Sequence, residues 1–310
     1  MVRLKGVNKM KPIATIKELP REEYWYPGNA TCAGCGAAIA IRLAQKALGP
    51  RTVFVVPACC TSVIQSAFPF SAFATPCLNI AFEAAAAAAS GVVAAYEKKG
   101  VKDVTVLAWA GDGGTVDIGL QALSGAAERG TNFIYVCYDN EAYGNTGFQR
   151  SGSSPYGSQT TTTPTGKREH KKNVPMIMAA HDIPYVATAC ISYPMDFVNK
   201  LRKAKGFVGT KYIQILTPCP PGWRYSTEKT VEMGRLAVQT GIWALYEIEG
   251  GKFKLNSPSA ALVDKAKRKP IEDYVKMQGR FSQLKPNDVE ELKRWIDETW
   301  ENYKRQQFNV

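Results

Sequence analysis

Four cysteines and two strand ends hold the residues of this 310-residue chain whose types and spacing could do chemistry. Cys32 and Cys35 form a C-x-x-C within Thr31-Cys32-Ala33-Gly34-Cys35-Gly36, Cys60 follows after 24 residues, and Cys219 comes much later, directly before Pro220. Four thiolates are what a cubane iron–sulfur cluster needs, and a Cys–Pro pair also ends the ferredoxin-type run. Small residues between and after the first pair suit a loop wrapped tightly around a cluster. A zinc knuckle would want a second C-x-x-C or a histidine pair at short range, and the only histidines are His170 and His181. A redox-active C-x-x-C fits a thioredoxin-like setting, which the residues around Cys32 do not supply. Either Cys59 or Cys60 could fill the third place. Cys77, Cys137 and Cys190 sit in apolar or strand contexts and read as buried small hydrophobes.

The second constellation is Gly111-Asp112-Gly113-Gly114 and, one strand and one helix later, Asp139-Asn140. Glycines let backbone approach a diphosphate, and the N–H groups of a following helix favour negative charge. A carboxylate and an amide oxygen are hard donors suited to Mg²⁺, with phosphate oxygens completing an octahedron. The spacing matches neither a Walker loop nor a GxGxxG dinucleotide fingerprint.

Both constellations need a scaffold that brings strand ends together. Apolar runs at Thr52–Val56, Val104–Ala110, Phe133–Tyr138, Pro184–Ala189 and Tyr212–Leu216 are continuous rather than alternating, as strands buried on both faces should be. Helices are expected over Cys35–Leu48, Glu83–Lys98, Val116–Arg129, Met195–Lys205 and Val231–Tyr246. Strands alternating with helices predict an α/β fold with a doubly wound, mostly parallel sheet, which binds ligands at its carboxyl edge. Residues 149–172 form a long polar loop of the kind that is functional or disordered. The division expected is a cofactor domain over residues 1–250 and a basic C-terminal arm over 251–310, without chemistry of its own and packed on another surface. The arm ends in an amphipathic helix over Asn287–Lys304, with Asn287 and Glu290 resembling a capping box.

These residues resemble the thiamine-diphosphate enzymes, and Asp139-Asn140-Glu141-Ala142-Tyr143-Gly144-Asn145-Thr146-Gly147-Phe148-Gln149 resembles the 2-oxoacid:ferredoxin oxidoreductases, above all the pyruvate-type beta subunit. The likeness runs from Cys32 through Thr160–Lys167, Ile183–Ala189 and Cys219–Trp223 to Gln278–Phe281. It implies thiamine diphosphate on Gly111, Asp112, Gly113, Gly114, Asn140, Ala142, Tyr143 and Thr146. It implies Mg²⁺ on Asp112, Asn140 and the Ala142 carbonyl, with Asn145 near the thiazolium and the substrate. The family's interval favours Cys60 as the third ligand of a [4Fe–4S] cluster on Cys32, Cys35, Cys60 and Cys219. The reaction implied is oxidative decarboxylation of a 2-oxoacid with electrons passing to ferredoxin. Pyruvate comes first among the substrates; 2-oxoisovalerate, 2-oxoglutarate and oxalate stay open, and coenzyme A captures the product in pyruvate-type members.

Two parts of that machinery are not found in this chain. The glutamate that works on the aminopyrimidine has no candidate, and there is no ferredoxin-like run of closely spaced cysteines. Both are expected in partner subunits, one a pyrimidine-side thiamine domain and one a ferredoxin-like cluster protein. The net charge of +12 fits an acidic protein partner or a solvated basic surface, and the basic clusters lack the interleaved aromatics of a single-strand binder. No run approaches the ~20 apolar residues of a membrane span, and the charged first 20 residues lack a signal-peptide pattern. A cytoplasmic protein without membrane or nucleic-acid contacts is expected. Two other readings stay open: a non-redox thiamine decarboxylase or carboligase with structural or zinc-binding cysteines, and an electron-transfer or scaffold subunit that has lost thiamine.

Overall fold

The computed structural model describes residues 11–67 and 69–308; the first ten residues of the charged N-terminal stretch lie outside it. Eight strands form one sheet: β1 (Thr52–Pro57), β2 (Cys77–Ile80), β3 (Thr105–Gly111), β4 (Ile134–Asp139), β5 (Tyr185–Cys190), β6 (Lys211–Leu216), β7 (Tyr246–Glu249) and β8 (Lys252–Leu255). Their spatial order is β2-β1-β3-β4-β6-β5-β7-β8. The first six pair in parallel, and β7 and β8 add an antiparallel edge.

The continuous apolar runs are explained by the two faces they serve. Phe54, Leu107, Trp109, Ile134 and Val136 face one cluster of buried side chains, and Val55, Ala108, Ala110, Tyr135 and Cys137 face the other. Among the described residues, ten α-helical segments accompany the sheet: α1 (Gly36–Leu48), α2 (Cys60–Ile64), α3 (Ala85–Lys98), α4 (Leu120–Glu128), α5 (Val174–Ala179), α6 (Pro194–Lys205), α7 (Pro220–Trp223), α8 (Thr230–Gln239), α9 (Ile271–Val275) and α10 (Pro286–Phe308). The apolar faces of α1 (Ile41, Ala44, Leu48) and α6 (Phe197, Leu201, Ala204) cover the first face. Those of α3, α4, α8 and α10 cover the second, so the sheet is doubly wound. No helix among the described residues is long and apolar enough to cross a membrane.

Four expectations need correcting. The helix expected over Val231–Tyr246 stops at Gln239, because Gly241 adopts φ +81° and Tyr246 already belongs to β7. The helix expected from Val116 starts instead as a π-helical turn over Gly113–Asp117, and α4 begins only after Gly119. The last helix begins at Pro286, whose fixed φ suits a first helical position. Its start is therefore fastened by Asp288, whose carboxylate accepts the Lys285 N–H at 3.0 Å, and not by an Asn287–Glu290 box. Finally, the residues after 250 pack on this chain itself. Strand pairing runs straight through that point from β7 to β8, and Phe253, Leu262, Tyr274, Phe281, Ile296 and Trp300 share a core with Val186 and Leu236.

One buried cation gives the fold a pH signature. Lys211, 3% exposed at the start of β6, donates to Asn132 Oδ1 at 2.7 Å. Burial alone lowers its ammonium pKa to about 7. The unfolded chain keeps that proton up to about 10.4, so the unfolded state binds more protons between those values and stability rises with pH there. Lys211→Met should thus gain most over wild type at pH 7 and below, with the advantage fading towards pH 10. Urea midpoints of both proteins at pH 6, 7, 8.5 and 10 measure it; a difference independent of pH would refute the assignment.

Candidate functional site

The parallel strands β1, β3, β4 and β6 are adjacent, and each delivers its functional residues just past its carboxyl end. Cys59 and Cys60 follow β1, Asp112 follows β3, Asn140 follows β4, and Cys219 follows β6. A cavity of about 260 Å³ opens at this edge. Gly111 to Gly114, Asn140, Ala142, Tyr143, Asn145 and Thr146 all line it, as do Cys59 and Cys60. Asn145 and Thr146 lie at the exposed rim, where the Thr146 hydroxyl bonds Gln149 Oε1 at 2.5 Å.

The glycine-rich turn is shaped by close contacts. A Cβ on Gly113 would sit 2.6 Å from the Tyr143 ring. That ring is held in place because the Tyr143 hydroxyl donates to Asp117 Oδ2 at 3.0 Å. Thr115 Oγ1 donates back to the Gly111 carbonyl at 2.7 Å, fixing the start of the π-helical turn whose Gly113 and Gly114 line the cavity.

Beside it, one end of the Asn140 amide lies 3.1 Å from Asp112 Oδ1 and 2.8 Å from the Ala142 carbonyl oxygen. With the amide oxygen there, three acceptors converge, an arrangement that a cation supports. With the amide turned over, its nitrogen donates to both neighbours. Ligands at ~2.05 Å from an octahedral Mg²⁺ lie about 2.9 Å apart, so these spacings fit that ion. The remaining Asp112 oxygen accepts from Ser151 Oγ at 2.5 Å. Burial, then the neighbouring Asp139 charge, push the Asp112 carboxyl well above the ordinary carboxylate range, a trend that a bound divalent cation would reverse.

Behind Asn140 the chain turns through Glu141 in a left-handed conformation, φ +64°. Such a conformation in a non-glycine residue persists only when its surroundings hold it. Glu141 is 5% exposed and is gripped by Lys171 Nζ and Arg280 Nη2, each at 2.6 Å. Burial alone would raise the Glu141 carboxyl, but those two charges outweigh it and hold it below its usual value. The Arg280 guanidinium lies 3.8 Å over the Trp223 ring, and Trp223 Nε1 donates to the Asn140 carbonyl at 2.8 Å.

The thiols sort themselves. Burial first, then the Cys219, Cys59 and Cys35 charges, push the Cys60 thiol up. Cys219 is pushed up to about 12 by burial and by Cys35 and Cys32, with Arg280 pulling the other way. Cys35, Cys60 and Cys219 thus stand within electrostatic reach of one another, and Cys32 within reach of Cys35 and Cys219. Gly34 makes the first loop possible: it takes φ +72°, and a Cβ there would meet the Thr227 carbonyl at 2.2 Å. The Gly36 N–H donates to the Pro218 carbonyl at 3.3 Å, pinning the C-x-x-C to the loop of Cys219. Cys59 is occupied differently: it stands at the N-cap of α2, where its backbone N–H donates to Ser62 Oγ at 3.0 Å. Among the described residues, no three Cys, His, Asp or Glu side chains converge as ligands of a single ion.

Sequence reasoning missed Ser151, Glu141, Lys171, Trp223 and Arg280 as site residues. Ser151 and Lys171 belong to the polar 149–172 loop, which proves ordered, with Ser151, Ser153, Ser154 and Lys167 buried.

Residues 58–215 match the family model described as "Thiamine pyrophosphate enzyme, C-terminal TPP binding domain". The chain is 48% identical over 297 residues to the ketoisovalerate oxidoreductase subunit VorB of Pyrococcus furiosus, covering 93% of this chain and 94% of that one. It is 53% identical over 285 residues to the pyruvate synthase subunit PorB of Methanothermobacter thermautotrophicus, covering 90% and 97%. A solved structure of 2-oxoglutarate:ferredoxin oxidoreductase from Magnetococcus marinus shares the fold at TM-score 0.57 and 23% identity, over 70% of this chain and 82% of that one. The relatives are oxidoreductase and synthase subunits, which leaves the non-redox decarboxylase and thiamine-free readings without support. A thiamine-binding sheet edge and near-complete alignment to VorB and PorB together place the chain in the beta-subunit family of the thiamine-diphosphate-dependent 2-oxoacid:ferredoxin oxidoreductases.

Proposed function

We propose that this subunit holds thiamine diphosphate through Mg²⁺ and carries a [4Fe–4S] cluster, within a complex that oxidatively decarboxylates a 2-oxoacid. The observation that carries the reading is that Cys60 lines the same cavity as Asp112 and Asn140. A cofactor that releases electrons and a group that accepts them singly would therefore sit against one wall.

When bound, thiamine diphosphate supplies the carbanion chemistry by which a 2-oxoacid loses CO₂, and the cluster supplies a one-electron acceptor. The chain's own part is positioning. Asp112, Asn140 and the Ala142 carbonyl hold Mg²⁺, and Ser151 orients the Asp112 carboxylate. Gly113 and Gly114 keep side chains out of the path of the diphosphate. Tyr143 walls the cavity, and Asn145 at its rim is placed to meet the substrate. Cys32, Cys35, Cys60 and Cys219 hold the cluster, while Cys59 caps α2.

Pyruvate is the substrate we favour, with a pyruvate synthase subunit among the relatives at 53% identity, and 2-oxoisovalerate is the second reading, supported by the ketoisovalerate oxidoreductase relative at 48%. The names of both relatives as subunits support further chains in the complex, which would supply the aminopyrimidine glutamate and onward clusters. Coenzyme A as acyl acceptor and cytoplasmic ferredoxin as electron acceptor complete the proposal.

Three measurements test it on the anaerobically purified complex. Cys60→Ala should abolish the EPR signal of the reduced cluster and most of the iron, whereas Cys59→Ala should retain both; the reverse outcome would assign the third ligand to Cys59. Asp112→Ala should eliminate Mg²⁺-dependent thiamine diphosphate binding, and Ser151→Ala should weaken it about 10–100-fold, as loss of an orienting partner does. Equilibrium dialysis measures both, and unchanged affinity in Ser151→Ala would remove it from the metal site. Reduction of ferredoxin should slow steeply as ionic strength rises if the basic surface steers an acidic partner, and a flat profile would sink that partner assignment.

A further inference from the structure

We propose that Arg280 is the joint between the cluster loop and the metal loop. Its charge tunes the reduction potential of the cluster, while its ion pair and ring stack hold the turn that presents the Mg²⁺ ligands. The inference rests on the function proposed above and adds a residue from a distant segment to it.

The guanidinium is 3% exposed, and its donors are engaged on several sides. Nη2 bonds Glu141 Oε2 at 2.6 Å and the Tyr274 hydroxyl at 3.2 Å, and Nε bonds Gln278 Oε1 at 2.8 Å. Its Cζ lies 3.8 Å from the ring centroid of Trp223, the last residue of a helical turn that starts directly after Cys219. The Trp223 backbone N–H donates to the Cys219 carbonyl at 2.9 Å, and its indole N–H donates to the Asn140 carbonyl at 2.8 Å. One side chain therefore braces the backbone of a cluster ligand on one side and the strained Glu141 turn on the other. No exposed ion pair could do this, because both attachments lie in a water-poor interior where charge is weakly screened.

Two consequences separate charge from shape. Reducing a [4Fe–4S] cluster adds one negative charge, so a fixed buried cation near Cys219 favours the reduced form and raises the potential. Holding Glu141 while stacking on Trp223 needs a planar fork, which arginine has and lysine lacks. The two jobs therefore respond differently to substitution.

The test uses the whole complex, purified anaerobically, with iron content measured first. Potentiometric titration followed by EPR reads the cluster, and equilibrium dialysis of thiamine diphosphate in Mg²⁺ reads the metal loop. Arg280→Gln should shift the potential to more negative values and weaken diphosphate binding about 10–100-fold. Arg280→Lys should keep the potential near wild type and lose a similar factor in binding. Trp223→Phe, which keeps the stacking surface but loses the indole N–H, should weaken binding without moving the potential, and it stands in if Arg280→Gln does not fold. Unchanged potential in Arg280→Gln with iron intact would overturn the tuning role, and unchanged binding in all three variants would overturn the bracing role. Equal iron loss in Arg280→Gln and Arg280→Lys would reduce Arg280 to a packing residue. Absence of iron from the wild-type complex would instead overturn the proposed function, and this inference with it.

Discussion

Asp112, Asp139 and Glu141 are each 5% exposed or less, and their negative charges act on one another. Placing three carboxylates in so little water is strongly unfavourable unless each finds a cation or several hydrogen bonds. Lys171 reaches both Asp139 and Glu141, and Arg280 reaches Glu141 alone. Gln214 Nε2 and the Glu141 N–H bond the two Asp139 oxygens. Asp112 receives only Ser151 Oγ at its outer oxygen and a long contact from the Asn140 N–H at the other. It is the carboxylate whose charge the protein leaves least compensated, and it faces the cavity. The proposed Mg²⁺ addresses that imbalance, and a diphosphate would in turn be attracted by the cation.

The sheet makes this concentration possible. Six parallel strands point their carboxyl ends the same way, so residues far apart in sequence arrive at one edge without long excursions. The proposed metal ligands, Cys60 and Cys219 follow the ends of four neighbouring strands. The C-x-x-C is brought in by the start of α1, tied to Pro218 through Gly36. Covering both faces of the sheet with helices keeps the strand interiors dry, which is why Trp109, Tyr135 and Tyr212 can be fully buried beneath the site.

What could be read from sequence was what local chemistry dictates. The glycine-rich turn and Asp139-Asn140 stand out because close approach to a diphosphate demands missing side chains at fixed distances from a strand end. The five central strands stand out because burial on both faces leaves few polar positions along them. β2, β7 and β8 did not, being four-residue strands whose alternating or partly exposed positions resemble loop. The ends of α8 and α10 were misjudged because Gly241 and Pro286 act through backbone dihedrals that outweigh side-chain periodicity. Cys59 and Cys60 are adjacent, and only the helical turn that follows sets the N-cap Cys59 apart from Cys60, the first residue of α2. Ser151, Lys171 and Arg280 were invisible for another reason: the Arg280–Glu141 pair spans 139 residues of sequence, and nothing local to either marks the other.

The pinning of the C-x-x-C to Pro218, and of the Asn140 turn to Trp223 and Arg280, has a consequence for biosynthesis. A chain leaves the ribosome from its N-terminus at about 5–20 residues per second, so Cys32 and Cys35 emerge roughly 10–40 s before Cys219. During that interval two thiols wait without the loop that later flanks them, and Arg280 comes later still. A nascent chain cannot complete either pocket. Loading of the proposed cofactors would then be a post-translational event, timed by release of the C-terminal segment.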